Sequence, residues 1–342
     1  MQIDLISDSI KHNEYFVIIH GTYGGKKLSV LNNDLNLITE FPLEGIEVWD
    51  SNFHTLKTDS DILISITVTG TYPLESKKYQ GYSTLWFRLN LSDSNFSLNK
   101  IDEWDRSDIR AIKSKNIDGQ LYWIGLRDLN FINQRGNKGR RTLIGFTETD
   151  KLEIPELNFA GGVQHSHLYH DFDFTFRNNE ITLSAIAEIT NSVPTILRFS
   201  KDFRNQSFTK LDIPLKKLHN FLSTKIVSKE DQILSYFWTT SSEHCKKYFF
   251  ELYVAEINLD LKNSNINKAI DEEYVHSFKW NNSIVAYKVG DQSAPCKLGA
   301  ITENGIIKEF SELDNSNPIL LSSSNELISA ELDTNQLVKN YS

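Results

Sequence analysis

Apolar positions along the chain fall in runs of five to eight residues rich in Ile, Val, Leu, Phe, Tyr and Trp, separated by stretches of Asn, Asp, Gly and Ser. Helical periodicity is almost absent; Leu215-Lys216-Lys217-Leu218 spans about one turn. A continuous apolar run marks a strand buried on both faces. Such runs recur at Tyr15–Ile19, Ile62–Val68, Leu121–Leu126, Ile181–Ala187, Gln232–Trp238, Ile284–Val289 and Glu326–Leu332. Their starts are 47, 59, 60, 51, 52 and 42 residues apart. Each is preceded by a shorter strand, at Ser9–His12, Phe53–Lys57, Ile109–Ser114, Phe172–Arg177, Phe221–Val227, Phe278–Asn281 and Pro318–Ser322. Each is followed by another, at Lys27–Leu31, Thr84–Leu91, Thr142–Thr147, Thr195–Ser200, Phe249–Leu259, Lys297–Thr302 and Gln336–Tyr341. A more polar fourth strand recurs six times, as at Asn36–Phe41, Ser97–Trp104, Thr209–Pro214 and Ile306–Phe310.

Four short strands repeated at about 40–50 residues predict an all-β fold, a single seven-bladed β-propeller over residues 1–342. The seventh repeat lacks its outer strand; either Met1–Leu5 supplies it or that blade has three strands. Six blades with a C-terminal appendage is the alternative. Trp49-Asp50 and Trp104-Asp105 follow the outer strand and lack a Gly-His partner, so they do not make WD40 repeats.

Composition narrows the function classes. With 39% hydrophobic residues over 342 positions, the chain can bury a large core, which excludes wholesale disorder. A net charge of −9 argues against a nucleic-acid backbone as partner. No run reaches the roughly 18 apolar residues of a membrane helix, and Met1–Leu5 does not open a secretory signal. Cys245 and Cys296 are isolated, which suits neither a disulfide framework nor a zinc ribbon. The expectation is a soluble cytoplasmic protein with no nucleic-acid or membrane partner.

Turns that enter the first strand of each blade lie at one mouth of a propeller channel. Three of them read His170-Asp171-Phe172, His219-Asn220-Phe221 and His276-Ser277-Phe278, so three of nine histidines share one repeat position. Three imidazoles from consecutive blades suit a divalent transition metal, Fe, Cu or Zn, with coordination positions left open. His165 and His167 could add a ligand or a proton shuttle, and Asp171 or Asp173 could orient an imidazole. The string His170-Asp171-Phe172 resembles the metal-histidine motif of carotenoid cleavage oxygenases, which are seven-bladed propellers with axial iron-binding histidines. The resemblance covers only these few residues, and those enzymes are longer and use four histidines. It implies an axial metal rather than a carotenoid substrate.

Blades two and three carry other chemistry at the same mouth: Glu47, Trp49 and Asp50, then Glu103, Trp104, Asp105, Arg106, Asp108 and Arg110. Asp50, Asp105 and Arg110 are candidate catalytic groups, and Trp49 and Trp104 candidate platforms for a sugar ring. Gly21-Thr22-Tyr23-Gly24-Gly25-Lys26 looks like a phosphate loop but joins two strands and reads as a hairpin turn. Arg135-Gly136-Asn137-Lys138-Gly139-Arg140-Arg141 reads as a solvated basic hairpin tip that could touch an anion. Three readings follow. The leading one is a metal-dependent enzyme with His170, His219 and His276 as ligands, acting on a small molecule or peptide. The others are a protein-interaction scaffold and a glycan-binding or glycan-cleaving propeller.

Overall fold

The computed structural model describes residues 6–21, 25–46, 48–55, 60–69, 82–92, 95–101, 109–129, 140–147, 168–188, 192–204, 207–213, 219–229, 232–243, 247–257, 265–271, 276–280, 283–288, 296–301, 307–313, 316–319, 327–331 and 337–341, with side chains for most of 8–257. These residues form seven antiparallel sheets in chain order. Sheet one is β1 (Ile6–His12), β2 (Tyr15–His20), β3 (Lys27–Leu31) and β4 (Leu37–Pro42). Sheet two is β5 (Val48–Thr55), β6 (Asp61–Thr69), β7 (Tyr82–Asn90) and β8 (Ser97–Lys100). Sheet three is β9 (Ile109–Ile117), β10 (Gln120–Leu129) and β11 (Arg140–Thr147). Sheet four is β12 (Leu168–Arg177), β13 (Glu180–Glu188), β14 (Ser192–Ser200) and β15 (Ser207–Lys210). Sheet five is β16 (His219–Ser228), β17 (Ile233–Glu243), β18 (Lys247–Ile257) and β19 (Asn265–Asp271). Sheet six is β20 (His276–Trp280), β21 (Ser283–Lys288), β22 (Cys296–Ile301) and β23 (Ile307–Leu313). Sheet seven is β24 (Ser316–Ile319), β25 (Leu327–Glu331) and β26 (Leu337–Tyr341).

The repeat read from sequence is thus found strand for strand through the first three strands of every sheet. The second strands are buried on both faces as their apolar runs require: Phe16–Ile19, Ile62–Val68, Leu121–Leu126, Ile181–Ile186 and Ile233–Thr239 are all buried. Tight turns close the first hairpins. Asp118-Gly119 and Asn178-Asn179 both take positive φ at their two central positions, the twist that a two-residue hairpin favours. The fourth strand expected in the third repeat, and Met1–Leu5, lie outside the described residues. Fourth strands differ from their polar stretches mainly in where they end: β8 stops at Lys100 rather than Trp104 and β15 at Lys210 rather than Pro214, whereas β23 runs on to Leu313. Among the described residues, no helix is long and apolar enough to cross a membrane.

First strands begin earlier than the sequence suggests. The stretches expected to be turns, Trp49-Asp50, His170-Asp171, His219-Asn220 and His276-Ser277, already lie within strands. A one-residue bulge lets pairing continue past the apolar core. Ser7 is the extra residue in β1, Trp49 in β5, His170 in β12 and Leu222 in β16, and in β9 Ala111 and Ile112 share one opposing position. A bulge changes which face the preceding residues present and is common beside functional sites.

Two compact units can be distinguished: Met1–Asn130 with Leu143–Glu156 and Pro318–Ser342, and Phe131–Thr142 with Leu157–Asn317. In the first, Ile10, Val17, Ile62, Ile64 and Ile66 pack sheet one on sheet two. Leu63, Trp86, Ile109, Trp123 and Phe146 pack sheet two on sheet three. In the second, Ile186, Ile196, Ile226, Ile233 and Phe237 pack sheet four on sheet five. Each such large side chain fully buried contributes about 1.5–3 kcal/mol.

Candidate functional site

Two hydrogen bonds set sheet three against sheet two. His54 Nδ1 lies 2.7 Å from Ser114 Oγ, and Thr84 Oγ1 donates to the Ile109 carbonyl. Asp50, Thr67 and Thr84 form one row across sheet two, through the pairs Asp50↔Thr67 and Thr67↔Thr84. That row ends on Ile109, the residue before Arg110. The other bond gives the same level: Asp50 stands four pairing positions before His54, and across the bulge at Ala111 and Ile112 it is Ile109 that stands four before Ser114. Strand register therefore brings Trp49, Asp50 and Arg110 to one end of two adjacent sheets. Trp49 occupies the bulge. Arg127 of β10 arrives at that end as well, paired with Ile109 next to the pair Arg110↔Leu126. Trp104 and Asp105 lie outside the described residues, as do His165 and His167.

His54 anchors this arrangement. It has no exposed surface, and its Nε2 lies 2.8 Å from Ser65 Oγ. Its ring is 5.6 Å from Trp123 and 5.7 Å from Trp86, whose indoles stack 5.2 Å apart at 18°. Burial drives its pKa down from 6.5 to about 3, so the ring is neutral, one nitrogen donating and the other accepting. Both nitrogens are occupied by hydroxyls, so His54 holds the sheets together and does not serve as a base. It sits inside the mixed polar and apolar strand β5, and nothing in the sequence pairs it with Ser65 and Ser114, 11 and 60 residues away.

The histidine trio is placed differently from its alignment. His170 is the bulged residue of β12, His219 pairs with Ser241 and His276 with Tyr287. Asp171 Oδ2 accepts the Thr224 N–H at 2.8 Å and Asp173 Oδ2 the Ile226 N–H at 2.9 Å. These bonds set His170 level with Ser223, so His219 stands about 10 Å or more further along its strand. Both carboxylates thus join first strands. Among the described residues, no group of three or more His, Cys, Asp or Glu could hold a metal ion.

The glycine-rich turn of sheet one is a hairpin, as expected. Gly21 has φ +116°, and a Cβ there would meet the Gly25 carbonyl oxygen at 2.7 Å. Beside it His20 Nε2 lies 2.9 Å from Ser29 Oγ, which donates to Glu40 Oε2 at 3.3 Å, and Lys27 Nζ donates to Glu40 Oε1 at 2.8 Å. Because Ser29 gives its one proton to Glu40, His20 Nε2 is the donor to Ser29. Ser29 is fully buried and its acid touches the serine rather than the far side of the imidazole. This is not a nucleophile triad.

No protein-family model matches the chain, and the search of curated proteins gives no match. Solved structures do match. An ulvan lyase, a polysaccharide lyase bound to -[GlcA(1-4)Rha3S]-, aligns over 100% of this chain and 93% of its own, with TM-score 0.63 and 9% identity. The α-L-arabinanase of Penicillium chrysogenum complexed with arabinobiose aligns over 84% and 91%, with TM-score 0.51 and 10% identity. Prolyl oligopeptidase B of Galerina marginata aligns over 96% of this chain and 47% of its own, with TM-score 0.54 and 9% identity. With these likenesses the repeated four-strand sheets define the class: the chain has a β-propeller fold. At such identities the likeness concerns the fold, and chemistry has to come from the site.

Proposed function

We propose that this chain is a carbohydrate-active propeller that takes a polysaccharide at the loop end of sheets two and three and cleaves it there. The observation that carries this reading is that Trp49 and Asp50 of β5 and Arg110 of β9 stand at that end of their adjacent sheets. An indole offers a flat apolar face to a sugar ring, a carboxylate moves a proton, and a guanidinium holds substrate oxygens. Trp104 and Asp105, in the segment leading to Arg110, would add a second platform and a second carboxylate. The end-to-end likeness to the ulvan lyase and the likeness to the arabinanase support this glycan reading over a three-histidine metalloenzyme.

Incubation with ulvan, polygalacturonate and arabinan tests it. A lyase would release products with the ultraviolet absorbance of an unsaturated uronate, and a hydrolase would release reducing ends without it. Asp50→Asn is expected to lower turnover by about a hundredfold or more with melting unchanged. Intact polymers in every case would sink the reading. Stoichiometric Fe, Cu or Zn in protein purified without a histidine tag, lost in His219→Ala, would put the three-histidine enzyme in its place.

A further inference from the structure

In three sheets the residue directly after the bulge of the first strand is an aspartate: Asp8 follows Ser7, Asp50 follows Trp49 and Asp171 follows His170. What stands opposite on the second strand differs. Asp8 pairs with Ile19 and Asp171 with Ile186, both fully buried, whereas Asp50 pairs with Thr67. The third strand extends the contrast, with Leu28 beside Ile19, Pro194 beside Ile186 and Thr84 beside Thr67. Sheet two therefore buries two hydroxyls, Thr67 at 3% and Thr84 at 2% exposure, where sheets one and four carry apolar residues. A buried hydroxyl is costly unless it is hydrogen-bonded. Thr84 gives its proton to the Ile109 carbonyl and so joins sheet three. Directly paired residues of antiparallel strands project to the same face with Cβ atoms about 5 Å apart, so the residues flanking Thr67 along its row are Thr84 and Asp50. A hydrogen bond to an ionised carboxylate is about twice as strong as one to a neutral hydroxyl. In sheet four the carboxylate after the bulge takes up the Thr224 N–H of the next sheet, while sheet two meets sheet three through Thr84 and His54.

We infer that Thr67 is a positioning residue of the proposed carbohydrate-cleaving site, its buried hydroxyl donating to the Asp50 carboxylate and holding it for proton transfer. This role rests on the glycan reading and adds a residue that reaches the reaction only through Asp50. A carboxylate rotates about two side-chain bonds, and a donor fixed on the neighbouring strand removes that freedom, on which proton transfer depends. The bond also accounts for a threonine within the buried run Ile62–Val68, at a place where sheets one and four use isoleucine.

Thr67→Val and Thr67→Ser in the full chain test this, with turnover read on whichever of ulvan, polygalacturonate and arabinan the unmutated protein cleaves. Thr67→Val should lower kcat about tenfold or more with KM within about twofold of the unmutated value, and Thr67→Ser should restore most of the loss. In an Asp50→Asn background Thr67→Val should cost nothing further, because the two residues act as one unit. Its melting temperature should not fall, since isoleucine fills this place in sheets one and four. Full turnover in Thr67→Val, or an equal loss on top of Asp50→Asn, would overturn the role of Thr67 and leave the carbohydrate reading standing. A Thr67→Val chain that failed to fold would show the hydroxyl to be structural and overturn that role as well. Cleavage of none of the three polymers by the unmutated chain would overturn both.

Discussion

Between sheets two and three, a neutral imidazole and two hydroxyls lie beside a pair of stacked indoles. Between sheets four and five, two carboxylates hold backbone N–H groups, and Ser184 Oγ lies 2.5 Å from Thr224 Oγ1 and 2.6 Å from Ser235 Oγ. His54 and Asp173 hold the same place, each directly after the phenylalanine that anchors its first strand. A first strand is a sheet edge whose outward N–H and C=O groups need partners. In sheet five the partners are carboxylates from the sheet before. In sheets two and three a hydroxyl, Thr84 Oγ1, serves the Ile109 carbonyl, the His54–Ser114 bond runs from side chain to side chain, and the aromatic stack adds cohesion. One repeat position can therefore be charged or neutral, and the two junctions should answer differently to mutation and to pH.

His54→Ala should give the largest effect, about 3 kcal/mol or more, because it opens a cavity beside two indoles and leaves the Ser65 and Ser114 hydroxyls without their bonds. Urea unfolding checks it; a loss below about 1 kcal/mol would mean that the indole stack alone holds this junction. Asp173→Ala should follow at about 2 kcal/mol, the cost of a buried Ile226 N–H left unpaired, with Asp173→Asn recovering part of it through its remaining amide oxygen. Acid should separate the junctions further. The folded pKa of His54 is lowered to about 3, so between about 6.5 and 3 the unfolded chain binds a proton that the folded chain refuses. Stability from this group is complete above about pH 6.5 and falls by roughly 1.4 kcal/mol per unit as the pH drops toward 3. His54→Gln should flatten that slope in melts between about pH 4 and 7, and an unchanged slope would place the acid sensitivity elsewhere. Ser184→Ala should cost the least, about 1 kcal/mol, since Thr224 and Ser235 then lose one bond each.

The strands were legible in the sequence because stretches of Asn, Asp, Gly and Ser punctuate the apolar runs, and turns such as Asp118-Gly119 have little choice of conformation. Bulges were not legible. One extra residue leaves the apolar pattern of Phe53–Thr55 or Phe172–Phe176 untouched, yet it prolongs the strand and shifts what precedes it. For this reason Trp49-Asp50 and His170-Asp171 read as turns, and the histidines looked equivalent when His170 and His219 are not level. Trp49, Asp50 and Arg110 stood out as a polar cluster on two repeats, and register sets their backbones at the same end of sheets two and three. Arg127 did not stand out, because a single arginine within an apolar strand carries no pattern of its own. It takes the pair with Ile109 to place it at the end of the Asp50 row.

The bulge at Trp49 inserts one residue that faces no partner across the ladder. Below it, Ser51–Thr55 must satisfy packing on both neighbouring sheets, and above it Val48 is again in the core opposite Val68. An exchange at the bulged position itself can alter what the protein presents without renegotiating how it folds. Ser7, His170 and Leu222 mark the same break in their own strands, so the licence to vary is built into the repeat.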